Sequence, residues 1–187
     1  MRTAGILLSV AYALMAGEST ASAQARGVEG FDAAVTQYVA LHRQVERHLP
    51  PQRDFVEADQ LLAYSAALRD ALCRARPEAR EGDVFAPAAA ELRQRTRHAL
   101  RVNGIEARDL LREMRDDTEE GARAPVVNQP FSWALGNLIP AAVLVLLPAL
   151  PDELQYRFVG TSLVLVDIHA GLVVDILRDA LDVTTSE

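Results

Sequence analysis

The stretch from Gln155 to Leu177 limits the fold of this chain more than any other, because it reads as three β-strands in immediate succession. Gln155–Val159 (QYRFV), Ser162–Asp167 (SLVLVD) and Gly171–Leu177 (GLVVDIL) are rich in β-branched and aromatic residues. Gly160-Thr161 and the His169-Ala170 region separate them at hairpin spacing, which predicts an antiparallel meander. Three strands are marginal in water by themselves, so one face of the sheet must be covered by something else in the chain.

Helical sequence upstream supplies that cover. Phe31 to Leu49 sets Phe31, Val35, Tyr38, Val39, His42 and Val45 on one broad face and is stopped at Leu49-Pro50-Pro51. A second helix is expected from about Glu57 to Ala75, closed by Arg76-Pro77. A third runs from near Pro87 to Val102, ending at Asn103-Gly104, and a short fourth from Ile105 to Met114. Between them, Glu78–Phe85 reads as a polar loop with a turn at Gly82-Asp83, and Asp116–Ala124 as a solvated linker. Residues Arg178–Glu187 read as a frayed tail.

Pro130–Leu150 is uncharged over 21 residues and has the length of a membrane span. Gly136, Asn137, Pro140 and Pro148 interrupt it, and no basic cluster flanks it, so it reads as buried core with a short helix over Ile139–Leu147. Trp133 to Leu147 is then the natural cover for the sheet. The expected fold class is α+β: a helical N-terminal and central region packed on a small antiparallel three-stranded C-terminal β-meander at 155–177, in one domain over 24–187.

Residues 1–23 read as a cleaved export signal. Arg2 gives a short positive start, Ala4–Ala16 an uncharged apolar run, and Ala21-Ser22-Ala23 a small-residue cleavage site before Gln24. The lone Cys73 lies far downstream, so no lipidation cysteine follows the cut and the expected product is periplasmic or secreted and not a lipoprotein. One cysteine also rules out an internal disulfide; within its helix it reads as a small buried hydrophobe. Arg2 and Glu18 cancel, so the mature chain keeps the net charge of −7, which argues against nucleic acid or anionic lipid as the main partner. The expected partner is an unidentified protein or small molecule, without stable membrane insertion of the mature chain.

Asp167, His169 and Asp175 form the one constellation that invites a metal or acid–base reading, and Asp167 and His169 are the candidate metal ligands. Strand geometry weighs against all three acting together. A two-residue turn puts Asp167 opposite Leu172 and Asp175 opposite Val164, on opposite faces of the sheet. A three-residue turn puts both on one face but roughly 13 Å apart, at about 3.3 Å per residue. In neither register do they share an ion without help from elsewhere. The expected roles are therefore turn capping for Asp167 and His169, and a solvated or Arg-paired Asp175. His42 and His48, six apart on one helix, do not share a face; His42 reads as a packed core histidine. His98 sits among Arg93, Arg95, Arg97 and Arg101 on a solvated helix. Arg157, a charge in an apolar strand, must reach solvent or a partner such as Asp83, Asp167 or Asp175.

The run Leu150-Pro151-Asp152-Glu153-Leu154-Gln155-Tyr156-Arg157-Phe158-Val159-Gly160, with Leu163–Asp167 and Gly171–Leu177 after it, resembles the small C-terminal β-module of periplasmic nickel/cobalt-homeostasis proteins. Tyr38-Val39-Ala40-Leu41-His42-Arg43, Arg76-Pro77 through Gly82-Asp83-Val84-Phe85 and the meander together resemble an uncharacterised group of exported bacterial proteins. The resemblance implies a fold and an address; its nickel/cobalt part implies a metal-responsive role. There is no nucleophile elbow, phosphate loop, paired-cysteine knuckle or metalloprotease helix, so no cofactor is implied and the chain leans away from enzymes. The leading expectation is a non-enzymatic periplasmic binding or envelope-homeostasis module. A metal-responsive accessory protein and a hydrolase with an unrecognised site are the alternatives.

Overall fold

A computed structural model describes residues 5–50, 57–116, 124–134 and 139–181. Residues 117–123 of the expected linker Asp116–Ala124, 182–187 of the expected tail Arg178–Glu187 and 135–138 of the apolar stretch lie outside the described residues. The start of that tail is not frayed: Ala180 and Leu181 are buried in the main core, and Leu181 N–H donates to the Thr161 carbonyl at 3.0 Å. The chain is α+β. Helices α1 (Gly5–Glu46), α2 (Ala58–Ala75), α3 (Ala89–Val102), α4 (Ala107–Asp116) and α5 (Ala141–Leu144) precede strands β1 (Leu154–Val159), β2 (Ser162–Asp167) and β3 (Leu172–Leu177).

Helix α1 is longer than its apolar periodicity suggests, running unbroken through Ala23 to Glu46. Its buried face is the expected one: Phe31, Val35, Tyr38, Val39 and His42. Gly27 and Gly30 let α1 lie against the 3-10 turn Ala86–Ala88 that leads into α3. A Cβ on Gly27 would stand 2.7 Å from the Pro87 carbonyl oxygen, and one on Gly30 2.8 Å from the Pro87 Cβ. Gly27→Ala therefore costs about 1–3 kcal/mol through overpacking against backbone, more than the helix propensity it gains. Urea denaturation should show a lower midpoint at unchanged slope.

Helix α2 opens with a capping box between Glu57 and Gln60 and buries Tyr64, Leu68 and Leu72 at one-turn spacing. Helix α3 buries Leu92, Thr96, Ala99 and Leu100, and stops where Gly104 takes a left-handed φ of 64°. Pro140 stands immediately before α5, which is shorter than the stretch expected to be helical. No helix among the described residues is long and apolar enough to cross a membrane.

The sheet order is β1-β2-β3, antiparallel throughout. One face carries Leu154, Tyr156, Phe158, Leu163, Leu165, Val174 and Leu177 into the main core with α1, α3, Ile139, Val143 and Leu147. Phe31, Phe85 and Tyr156 stack there, with ring centroids 5.9 and 6.4 Å apart. The other face is also covered: Val164, Val166, Val173 and Ile176 pack under Val127 and Phe131. Ala170 and Leu172 pack with Tyr64, Leu68 and Leu72 of α2. This accounts for β2 and β3 being buried at every residue.

The cover differs from the expectation of Trp133–Leu147. Ile139, Val143 and Leu147 do join the main core, but α1 and α3 share that face, while Trp133, Leu144 and Val145 stay exposed. The free edge of β3 is closed by segment 128–131: Asn128 donates to Val173 O, Val173 to Gln129 O and Phe131 to Gly171 O. Arg157 finds none of the three aspartates; it bonds Gln155 and lies over the Trp133 ring.

Candidate functional site

The register of β2 against β3 decides where the aspartates point. Asp167 pairs with Leu172, as a two-residue turn requires, but a β-bulge shifts the ladder between Leu165 and Val166. Val166 pairs with Val173 and Leu165 with Asp175, so Val174 is the extra residue. The inserted residue moves Asp175 to the face that carries Leu165 and Asp167. Of the two registers the sequence allows, the turn follows the two-residue one, but this one-residue slip removes the opposite-face placement that goes with it. The carbonyl of Val174, left out of the ladder, accepts from Arg76 Nη2 at 3.2 Å.

The sequence suggests a solvated or Arg-paired Asp175, and the structure corrects both readings. Asp175 is fully buried, and its carboxylate accepts from the backbone N–H groups of Gly82, Val84, Phe85 and Ile176, each at 2.7 Å. The polar loop at Gly82-Asp83 is thereby wrapped around it, with Gly82 at a φ of 94°. Burial pushes the Asp175 carboxyl above the usual carboxylate range, while the four N–H groups pull against that rise. Asp175 is a structural anchor.

Asp167 is the hub of a different cluster. Its Oδ1 accepts from the backbone N–H of His169 at 3.1 Å and of Ala170 at 2.9 Å, the turn cap the sequence predicts. Its Oδ2 reaches α1, where Tyr38 donates its hydroxyl at 2.7 Å and His42 Nδ1 lies at 2.5 Å. All three side chains are buried, Asp167 and His42 completely. The carboxylate accepts, so His42 donates from Nδ1, and in its neutral form the ring keeps its lone pair on Nε2. Burial acts to lower the His42 pKa, but the hydrogen bond and charge of Asp167, with Glu46 and Glu153 behind them, hold it above the usual histidine value. Burial and the same carboxylate raise Tyr38 well above an ordinary tyrosine.

His42 Nε2 points towards Glu46, one turn further along α1, whose Oε2 is 3.7 Å away. The other Glu46 oxygen accepts from Tyr64 at 2.9 Å. The His169 ring comes from the β2–β3 turn and lies 5.6 Å from the His42 ring, centroid to centroid. One donor atom each from His42, Glu46 and His169 lie within 4.8 Å of one another. His42 Nε2 and His169 Nδ1 are both buried without a hydrogen-bond partner.

That geometry suits a divalent metal ion. Zinc ligands sit about 2.0–2.2 Å from the ion, so tetrahedral donors stand roughly 3.4 Å apart. The three donors stand within 4.8 Å of one another, so an ion would have to draw them closer. A carboxylate that fixes the tautomer and direction of a histidine from behind is the usual outer support of a metal ligand. The structure therefore separates the two sequence candidates. His169 belongs to the donor set, whereas both oxygens of Asp167 are already engaged and it positions His42.

The help that Asp167 and His169 needed comes from α1. The signal for it is the i, i+4 spacing of His42 and Glu46, which a comparison of His42 with His48 alone passes over. His48 bonds the carbonyl of Gln44, and His98 lies beside Arg101 on α3, both away from this corner. Cys73 is half-buried, donates to the Asn128 carbonyl, and burial pushes its thiol up, away from a reactive thiolate. No protein family, curated protein or solved structure matches the chain. The site rests on its own geometry.

Proposed function

We propose that this chain is an exported envelope protein that binds a divalent first-row transition metal through His42, Glu46 and His169. The observation that carries the reading is the pair of buried, unpartnered ring nitrogens facing a carboxylate, with Asp167 fixing one ring from behind. Unpaired buried nitrogens cost stability unless a ligand fills the space between them. Two imidazoles and a carboxylate form a borderline donor set of the kind that takes zinc, cobalt or nickel in preference to calcium or magnesium. Export is supported by the pattern of residues 1–23. A binding or homeostasis role agrees with the absence of any catalytic motif.

The test is thermal unfolding of the chain recovered from the envelope fraction, against zinc, cobalt, nickel, magnesium and a chelator. A metal at 100 times its dissociation constant stabilises by about 2.7 kcal/mol, which is read as a shifted midpoint. The shift should appear with the transition metals, vanish in His42→Ala and His169→Ala, and be absent with magnesium. The intact mass of the same sample should begin at Gln24. A flat panel overturns the metal reading, and a mass that retains residues 1–23 overturns the export reading. Three protein donors leave one position of a tetrahedral ion, and its occupant separates binding from catalysis.

A further inference from the structure

We infer that a second cleft, apart from the metal corner, binds a small zwitterion of the amino-acid class, with Arg76 taking its carboxylate and Asp83 its ammonium group. The cleft has a volume of about 450 Å³ and lies between α1, the end of α2 and the loop after it. That is the size of a small-molecule site. Tyr38, Arg76 and Asp83 are its charged and aromatic lining, and Leu41, Ala75 and Val84 add apolar wall.

Arg76 caps the C-terminus of α2 and is half-buried. Two contacts hold its guanidinium: Nη2 donates to the Val174 carbonyl at 3.2 Å, and Cζ lies 4.9 Å from the centre of the Tyr38 ring. The Tyr38 hydroxyl is taken by Asp167, so the ring is what Tyr38 gives the cleft. Nη1 is buried without an acceptor, and among the described residues no carboxylate pairs with Arg76. Such a group is destabilising unless an oxyanion meets it, and a guanidinium offers a carboxylate two parallel N–H bonds.

Asp83 lines the same cleft and forms no ion pair with Arg76. The backbone on either side of it is fixed, because Gly82 and Val84 both donate to Asp175 at 2.7 Å. Its Oδ2 accepts from the Arg80 backbone N–H at 3.0 Å, while Oδ1 has only the exposed Arg80 side chain, at 3.9 Å. That pair is a loose surface contact, which a bound ammonium group displaces with little loss.

The bulge in β3 sets both charges. Val174, the extra residue, gives its carbonyl to Arg76, and the next residue, Asp175, gives its carboxylate to the loop that presents Asp83. Two adjacent residues of one strand thus fix a cation and an anion in one cleft, unpaired with each other. Preorganisation of that kind favours a ligand that carries both charges. Phosphate fits poorly, because no second basic side chain lines the cleft and Asp83 repels a dianion.

Calorimetric titration of the full-length chain with L-alanine, L-valine, L-leucine and L-phenylalanine, in the presence of a chelator, tests the assignment without involving the metal site. At least one should bind saturably. The amide of the tightest binder, which lacks the carboxylate, and its deaminated acid, which lacks the ammonium group, should each bind at least ~10-fold more weakly. Arg76→Gln should weaken the amino acid by at least ~10-fold. Asp83→Asn should bring the amino acid down to the level of the deaminated acid and leave the deaminated acid's own affinity unchanged or improved, a split that a purely structural role would not give. Far-UV circular dichroism of each variant confirms that it is folded. The inference is overturned by a panel in which nothing binds, by either analogue binding as tightly as the amino acid, or by inorganic phosphate displacing it. Asp83→Asn weakening the amino acid and the deaminated acid alike overturns it too. Each of these results leaves the metal reading standing.

Discussion

Asp167→Ala should be the most damaging single substitution in this chain, lowering stability by about 3–5 kcal/mol, the range for removing one partner of a buried ion-paired group. Four groups converge on that carboxylate: two turn amides, the Tyr38 hydroxyl and the His42 ring. Deleting it leaves donors from two elements buried with nothing to accept them. At the size of this chain the loss corresponds to a midpoint roughly 10 °C lower. Asp167→Asn separates the fold from the site. Its amide oxygen still caps the β2–β3 turn, so stability should fall by only about 1–2 kcal/mol, while the lost charge weakens the hold on His42. Transition-metal affinity should drop ~10- to 100-fold, as it does when the outer partner of a ligating histidine is removed. If Asp167→Asn bound metal like the wild type, His42 would not need its carboxylate and the ligand assignment would fall.

Asp175→Ala should cost nearly as much, about 3–5 kcal/mol, with no effect on metal binding. The N–H groups of Gly82, Val84 and Phe85 would lose their acceptor at a buried position, each worth about 1–3 kcal/mol when orphaned. Asp175→Asn keeps one acceptor oxygen but turns an N–H2 towards a donor, so it should fall between wild type and Ala. Hydrogen exchange locates the damage: protection should be lost at Gly82, Val84 and Phe85 first, while the amides of β1 stay protected. Metal affinity that fell along with stability would show that the two aspartates are coupled, contrary to the separate partners described above.

The elements that the sequence makes legible are those that depend on local pattern. The meander is read from β-branched content and turn spacing, and β2 has the expected limits; α2 and α3 fall within a residue or two of theirs. The bulge at Val174 is not legible, because Gly171–Leu177 carries no glycine or proline at the slip and reads as an ordinary strand. Without the bulge, Asp175 falls on the wrong face and its burial is missed. The site is half legible for a related reason. His169 stands out beside a turn, but Glu46 looks like any other acidic residue of a chain with 26 of them. Its role depends on contacts between α1 and the sheet, and pattern along the chain carries no information about which helix face meets which turn. His42 is read correctly as buried and bonded; its partner is 125 residues away.

That separation sets an order of events. Helix α1 is made first, yet the carboxylate that fixes His42 arrives only with β2 and His169 only with the turn after it. Until then its imidazole and the Glu46 carboxylate belong to an isolated helix with one weak metal-chelating pair and nothing to hold either side chain in place. Closing a loop of this length is slow and late in folding. On the proposed export and metal reading, a chain moved across a membrane before it folds would pass through the cytoplasm without drawing on its metal pool. It would become competent to bind only on the far side, when the last hairpin has docked.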